Sequence, residues 1–231
     1  MDLLDVGDLV YLSAENDQVK LDQIPQAQSS LISFNPKTGE VLSYVGGSVF
    51  NDSQFDRVRQ SYPQSGSVFK PFIYASAFSE GYNPSSLIND APIIFEDENL
   101  ETFWRPENYS GKFYGLTTLR EALVQSINIV SIKLLREIGI KKSSETIDNF
   151  GFGTERLPQD LSLALGSGNF SPAEVARGFS VFANGGMISD IHYVSQIKDK
   201  NGNIIFDHSE IDIVNISCLL YTSDAADESV R

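Results

Sequence analysis

Apolar and polar positions change period along the chain, and the changes place strands at both ends and helices between them. In residues 7–27 two short alternating segments, Leu9-Val10-Tyr11-Leu12 and Val19-Lys20-Leu21, flank Glu15-Asn16-Asp17. A period of two broken by turn residues predicts a hairpin from a small β module that ends at Pro25. Ser30-Leu31-Ile32-Ser33-Phe34 and Glu40-Val41-Leu42-Ser43-Tyr44-Val45 read as a second strand pair. Asn35-Pro36-Lys37-Thr38-Gly39 has the composition of the tight turn between them, and Gly46-Gly47 ends the second strand. A last alternation, from Tyr193 to Ile197 and from Asn203 to Phe206 around Asp199-Lys200-Asn201-Gly202, predicts a closing hairpin.

The middle of the chain follows the helical period. Phe69, Phe72, Ile73, Ala75, Ala77 and Phe78 are apolar on most sides of one helix, the pattern of a helix packed inside a domain. Pro71 fits that helix only among its first four residues, whose N–H groups lack intrahelical acceptors, so the helix starts near Ser67. Asn83-Pro84 and Asn89-Asp90-Ala91-Pro92 mark loops. The aromatic, proline-broken segment Phe103-Trp104-Arg105-Pro106-Glu107-Asn108-Tyr109 reads as a loop pinned to the surface by its rings. Thr118-Leu119-Arg120-Glu121 has the spacing of a capping box and opens a helix that pauses around Ser126-Ile127-Asn128. It resumes from Ile129 to Ile138 and stops at Gly139. Ser171-Pro172-Ala173-Glu174 is a second box, with proline at the first helical position, and its helix ends at Asn184-Gly185-Gly186.

Composition narrows the class without naming it. A chain of 231 residues holds one sizeable core, or one domain with fragments of its neighbours. Hydrophobic residues at 41% and aromatic residues at 11% are the content of a folded protein. The net charge of −14 argues against nucleic acid and anionic membrane surfaces as direct partners. No apolar run approaches the length that spans a bilayer, and Met1-Asp2-Leu3-Leu4-Asp5 has no basic leader region. The one cysteine, Cys218, begins a stretch that looks like a translated sequencing-library adapter, so residues 218–231 are set aside. Without the three acids and one base of that stretch the charge is −12 rather than −14, and the remainder has no thiol, which fits any redox compartment.

Chemistry enters at Gln64-Ser65-Gly66-Ser67-Val68-Phe69-Lys70-Pro71-Phe72. A serine hydroxyl is a poor nucleophile at neutral pH until a partner takes its proton, and a lysine amine does so once burial has lowered its pKa. Ser67 and Lys70, at i and i+3, share a helix face. Gly66 suits a close backbone approach, and the positive field of a helix N-terminus favours charge developing at Ser67. Taken alone, S-x-x-K also fits a helix cap followed by a solvated lysine. Ser126-Ile127-Asn128, in a break between helical segments about 60 residues later, tips the balance toward the site.

With both motifs in place, the chain resembles the transpeptidase domain of penicillin-binding proteins, whose motifs include S-x-x-K and S-x-N. The resemblance extends through Asn35-Pro36-Lys37-Thr38-Gly39-Glu40-Val41-Leu42, Val45-Gly46-Gly47, Phe69-Lys70-Pro71-Phe72, Trp104-Arg105-Pro106-Glu107-Asn108-Tyr109, Leu119-Arg120-Glu121-Ala122-Leu123 and Phe182-Ala183-Asn184-Gly185-Gly186. These segments look like the bifunctional class A enzymes of the 1A type over roughly residues 7–213. The implied fold is α+β, an α/β sandwich of the β-lactamase/transpeptidase kind. Residues 1–27 would be the end of a small OB-like linker module, and 28–217 an incomplete transpeptidase domain without its C-terminal sheet strands.

The resemblance also implies roles. Ser67 would attack the penultimate D-alanine carbonyl of a peptidoglycan stem peptide, on glycan strands derived from lipid II, with Lys70 as base. Ser126 would pass a proton to the leaving amine, Asn128 would hold the bound peptide, and the Ser67 N–H would form half of the oxyanion hole. β-Lactams would acylate Ser67, and no cofactor or metal is called for. The family's third box, a Lys-Thr-Gly following the S-x-N, does not occur after Asn128; Lys37-Thr38-Gly39 precedes the nucleophile and reads as a hairpin turn only. The true box is therefore expected beyond residue 217, and the chain by itself is expected to show little activity. A membrane anchor and glycosyltransferase domain are expected upstream, placing the protein on the periplasmic face of the bacterial inner membrane with that anchor as its only membrane contact. The alternatives are a related serine D,D-carboxypeptidase or β-lactamase, which would lack the leading β module and the Trp104–Tyr109 segment, or an inactive truncated fragment.

Overall fold

The computed structural model describes residues 7–15, 18–23, 27–51, 53–96, 103–208 and 214–215. Strands β1 (Tyr11–Glu15) and β2 (Gln18–Asp22) pair antiparallel, with Leu12 opposite Leu21 and Ala14 opposite Val19. Leu9, Leu12, Val19 and Leu21 all stay exposed, so the ladder's main-chain bonds are its chief support, and two strands alone are marginal in water. The expected module end at Pro25, the Asn16-Asp17 turn and residues 218–231 lie outside the described residues.

Strands β3 (Leu31–Phe34) and β4 (Val41–Val45) form the second hairpin, Leu31 opposite Val45 and Ser33 opposite Ser43, with a register shift before Phe34. Its turn carries Lys37-Thr38-Gly39 and is held to a later segment: His192 N–H donates to Gly39 O, and the Ser189 hydroxyl donates to Pro36 O and Lys37 O. That tripeptide is a structural turn in this chain, as its position between β3 and β4 implies.

Helix α1 (Lys70–Ser79) follows a 3-10 turn at Gly66–Phe69, so Ser67 sits in the tighter turn that leads into the α-helix and not in its first α turn. Pro71 lies at the second helical position, where it removes no helical hydrogen bond. The helix is buried on nearly all sides because Phe72 packs edge-on against Phe150, Phe152 and Phe179, while Phe69 stacks on Phe170. Full burial of side chains such as Phe72 and Ile73 contributes about 1.5–3 kcal/mol each.

Beyond it lie β5 (Leu87–Asp90), β6 (Phe95–Glu96), β7 (Phe103–Trp104) and β8 (Gly115–Thr118), with β5 antiparallel to β8 and β6 to β7. Asn89 and Asp90, read from the sequence as loop residues, belong to a strand. Turn residues are tolerated there because the Asp90 carboxylate, 1% exposed, is satisfied by Asn108 and by the Tyr114 N–H at 2.9 Å.

Helix α2 (Leu119–Val124) begins at Thr118, whose hydroxyl accepts the Glu121 N–H, and α3 (Asn128–Ile138) resumes after the expected break and ends at Gly139. Helix α4 (Ile140–Asp148) follows after the single residue Gly139, and the apolar pattern does not predict it. Only Ile140 and Ile147 mark its apolar face, and Ser143 and Ser144 occupy the buried positions where periodicity would call for hydrophobic residues. Helix α5 (Pro172–Ala183) opens with both bonds of the capping box, Ser171 Oγ to the Glu174 N–H and Glu174 back to the Ser171 N–H. The chain then forms β9 (Met187–Ile188), β10 (Gln196–Lys198), β11 (Ile204–Asp207) and β12 (Val214–Asn215); β10 pairs β11 in the expected hairpin, and β12 pairs β9. Helices α1, α3, α4 and α5 surround one core, and α1 presents its N-terminal end to the break between α2 and α3.

Candidate active site

Two approaches of backbone to backbone set the segment before Ser67. Ser65 N–H donates to Gly168 O (3.0 Å), Gly66 N–H donates to Gly166 O (2.9 Å), and the Ser65 hydroxyl reaches both carbonyls. Gly66 has φ +59° and Gly166 φ +71°, and a Cβ on Gly166 would stand 1.9 Å from Gly66 O. Only glycine meets both demands at 166, the left-handed backbone and the absent side chain. The hydrogen bond between Lys70 N–H and Ser67 O then closes the 3-10 turn and points the chain into α1.

Lys70 is 1% exposed, although a lysine is rarely buried without partners. Its partners lie in the break between α2 and α3: Nζ donates to Ser126 O (2.6 Å), Ser126 Oγ (3.0 Å) and Asn128 Oδ1 (2.7 Å). Three acceptors meet the three ammonium protons. Burial nevertheless pulls the amine down from 10.5 to about 8, because the charged form is the one that loses water. Ser126 has φ +53°, the single positive value outside glycine among the described residues, and this left-handed residue carries both the carbonyl and the hydroxyl that meet Lys70. A non-glycine residue in that region costs roughly 1–2 kcal/mol and persists where surrounding contacts demand it.

The structure therefore brings Lys70, Ser126 and Asn128 into direct contact. Ser67 lies on the turn that leads into Lys70 and is exposed, but among the described residues its hydroxyl has no hydrogen-bond partner, neither Lys70 Nζ nor Ser126 Oγ. The lysine is turned toward the S-x-N element, and hydrogen bonds of this kind often tighten only when substrate is bound.

Sequence reasoning missed the segment that holds Asn128. Asn128 Nδ2 donates to Glu107 O (2.9 Å), which turns its carbonyl oxygen toward Lys70. Asn108 Oδ1 accepts both the Asn128 N–H (3.0 Å) and the Ile129 N–H (3.1 Å). Within the Trp104–Tyr109 segment Trp104 packs half-buried against the core, as expected of a ring that pins it, and Pro106 and Asn108 are buried, whereas Tyr109 is fully exposed. A usable signal existed: Ile127 stands where α3 needs a capping side chain and cannot supply one.

A buried lysine held by a serine-x-asparagine element in a helix break, with an exposed serine one turn before it, sits on an α+β fold of the β-lactamase/transpeptidase kind. Comparison with known proteins makes the class specific. The penicillin binding protein transpeptidase domain matches residues 30–218, and the chain belongs to that family. Penicillin-binding protein 1A of Pseudomonas aeruginosa is 43% identical over 206 residues, covering 89% of this chain and 25% of its own length. That of Escherichia coli is 38% identical over 206 residues, covering 89% and 24%. The chain spans about a quarter of the length of these relatives. The crystal structure of penicillin-binding protein 1A from Haemophilus influenzae superposes with a TM-score of 0.82 at 35% identity, covering 90% of this chain and 31% of that one. PonA1 from Mycobacterium tuberculosis, in complex with penicillin V, shares the fold at TM-score 0.69 and 21% identity, covering 81% and 53%.

Proposed function

We propose that this chain carries the core of a peptidoglycan D,D-transpeptidase site in which Ser67 is the nucleophile. Ser67 Oγ attacks the penultimate D-alanine carbonyl of a stem peptide, its proton passes to neutral Lys70, and the C–N bond to the terminal D-alanine breaks as that amine takes a proton. An amine from a neighbouring strand then displaces Ser67 and forms the cross-link. The single observation that carries the reading is the buried Lys70, held by Ser126 and Asn128 one helical turn from Ser67. In the neutral amine only two N–H donors remain. Ser126 O and Asn128 Oδ1 only accept, so the lone pair is left to the Ser126 hydroxyl, the one partner of the three that both accepts and donates. That assigns Ser126 the proton path between Lys70 and the leaving amine, while Asn128, whose amide bridges Lys70 and Glu107 O, keeps one N–H for the substrate backbone.

β-Lactams acylate the same serine as substrate mimics, in keeping with the penicillin V complex of the Mycobacterium neighbour. The reaction belongs on the periplasmic face of the inner membrane; among the described residues no helix is long and apolar enough to cross a membrane. The test is fluorescent penicillin labelling of the full-length protein followed by mass spectrometry. The adduct is expected on Ser67 and is lost in Ser67→Ala. An adduct on Ser65, or labelling that survives Ser67→Ala, overturns the assignment.

A further inference from the structure

We propose that Asn108, held by Asp90, is a positioning residue for the reaction: it caps α3 from outside the helix and so fixes where Asn128 and Ser126 stand against Lys70. The inference rests on the reading of Ser67, Lys70, Ser126 and Asn128 as one site. Asn108 is 6% exposed, and every polar atom of its side chain is used. Oδ1 accepts the N–H groups of Asn128 and Ile129, the first two of α3. Nδ2 donates to both Asp90 oxygens, at 2.9 and 3.0 Å, and to Lys112 O at 2.9 Å. Asp90 is buried too and receives the Tyr114 N–H, so the amide is clamped from behind.

A helix start is ordinarily capped by the residue immediately before it. Here that residue is Ile127, and its neighbours are committed elsewhere: Ser126 gives its hydroxyl and carbonyl to Lys70, and Asn128 bridges Lys70 and Glu107 O. Ile127 is itself buried in the core, so the cap position is given to packing and offers no acceptor. Importing the cap from a segment 20 residues upstream leaves both motif residues free for Lys70. The same segment supplies the Glu107 carbonyl, so Asn108 and Glu107 fix the backbone and the side chain of Asn128 together. Asp90 decides which way round the Asn108 amide sits, because a carboxylate only accepts and forces Nδ2 toward itself. A generic cap would need only an oxygen; this one needs the donor behind it as well.

The test is the first-order acylation rate at saturating fluorescent penicillin in the full-length protein, scaled to the sites that titrate, beside wild type and Ser67→Ala. Asn108→Ala is expected to slow acylation per titratable site by roughly 10- to 100-fold, the scale of a misplaced catalytic group, with little change in the concentration that half-saturates. Asn108→Asp alone sets two buried carboxylates against each other and is expected to be worse. The double variant D90N/N108D exchanges donor and acceptor between positions 90 and 108 and removes the carboxylate pair, while Lys112 O loses its donor, so it is expected to recover part of the rate that Asn108→Asp loses. It also carries the test if Asn108→Ala gives no folded protein. The proposal is overturned if folded Asn108→Ala acylates at the wild-type rate per site, with only its melting temperature lowered, or if the folded double variant stays as slow as Asn108→Asp. Labelling of Ser67→Ala would instead overturn the nucleophile assignment, so the two failures read differently.

Discussion

If Lys70 is the base, the pH dependence of acylation is set by its burial. An amine at 10.5 is neutral in about 3 of 10⁴ molecules at pH 7, whereas one near 8 is neutral in about one of ten, so burial raises the supply of base roughly 300-fold. The acylation rate constant is expected to climb about tenfold per pH unit below 8 and to level off by pH 9. Stability moves with the same group. Because the folded value lies below the unfolded one, the unfolded chain holds more protons between pH 8 and 10.5, and stability rises with pH across that window by up to about 3 kcal/mol. Below pH 8 the folded protein carries that cost in full. Above pH 10 tyrosine ionisation opposes the gain, since burial pushes Tyr74 up to about 12. The assay is stopped-flow acylation by a fluorescent penicillin from pH 6 to 10, with urea unfolding of wild type and Lys70→Met at pH 7, 8 and 9.5. Lys70→Met is expected to abolish acylation and to flatten the stability rise between pH 8 and 9.5. A wild-type rate that does not change between pH 6.5 and 9, or one whose midpoint lies above 10, would refute the buried lysine as base.

Two further outcomes follow from the backbone. Gly166→Ala adds a Cβ 1.9 Å from Gly66 O at φ +71°, and overpacking together with left-handed strain is expected to cost about 2–5 kcal/mol in urea unfolding and to slow acylation by displacing Ser65 and Gly66; unchanged stability would mean that the close approach is not required. Ser126→Gly releases the strain at φ +53° but removes the hydroxyl beside Lys70, so it is expected to melt no lower than Ser126→Ala while both lose at least tenfold in acylation rate; equal activity to wild type would remove Ser126 from the proton path.

What the sequence made legible was whatever rests on local periodicity and local chemistry. The break at Ser126-Ile127-Asn128, the stop at Gly139, the Ser171 capping box and the β3–β4 and β10–β11 hairpins are each written within a few residues. Helix α4 was hidden because Ser143 and Ser144 fill its buried face, and Ser76, Ser143 and Ser144 find no partner among the described residues, so they pack as small residues without a polar signature. Strand β5 was hidden because Asn89 and Asp90 look like turn residues until Asn108 and Tyr114 are seen to satisfy Asp90. Within the site, S-x-x-K and S-x-N named the pieces, but the contact between Lys70 and Ser126 and the imported cap span tens of residues, which no local pattern records.

The costs in this fold fall in one place. A buried amine, a serine at positive φ and a helix without a local cap are each unfavourable alone, and all three meet within the contact shell of Lys70 Nζ. They persist because each is another's remedy: the twist of Ser126 brings its carbonyl and hydroxyl to the ammonium, and the Asn108 cap stabilises the helix start that the twist interrupts. Relieving one member should therefore not simply add stability, because it withdraws the partner of the next. This coupling distinguishes the arrangement from a lysine that happens to be buried, which any well-packed apolar side chain of similar volume could replace without disturbing Ser126 or Asn128.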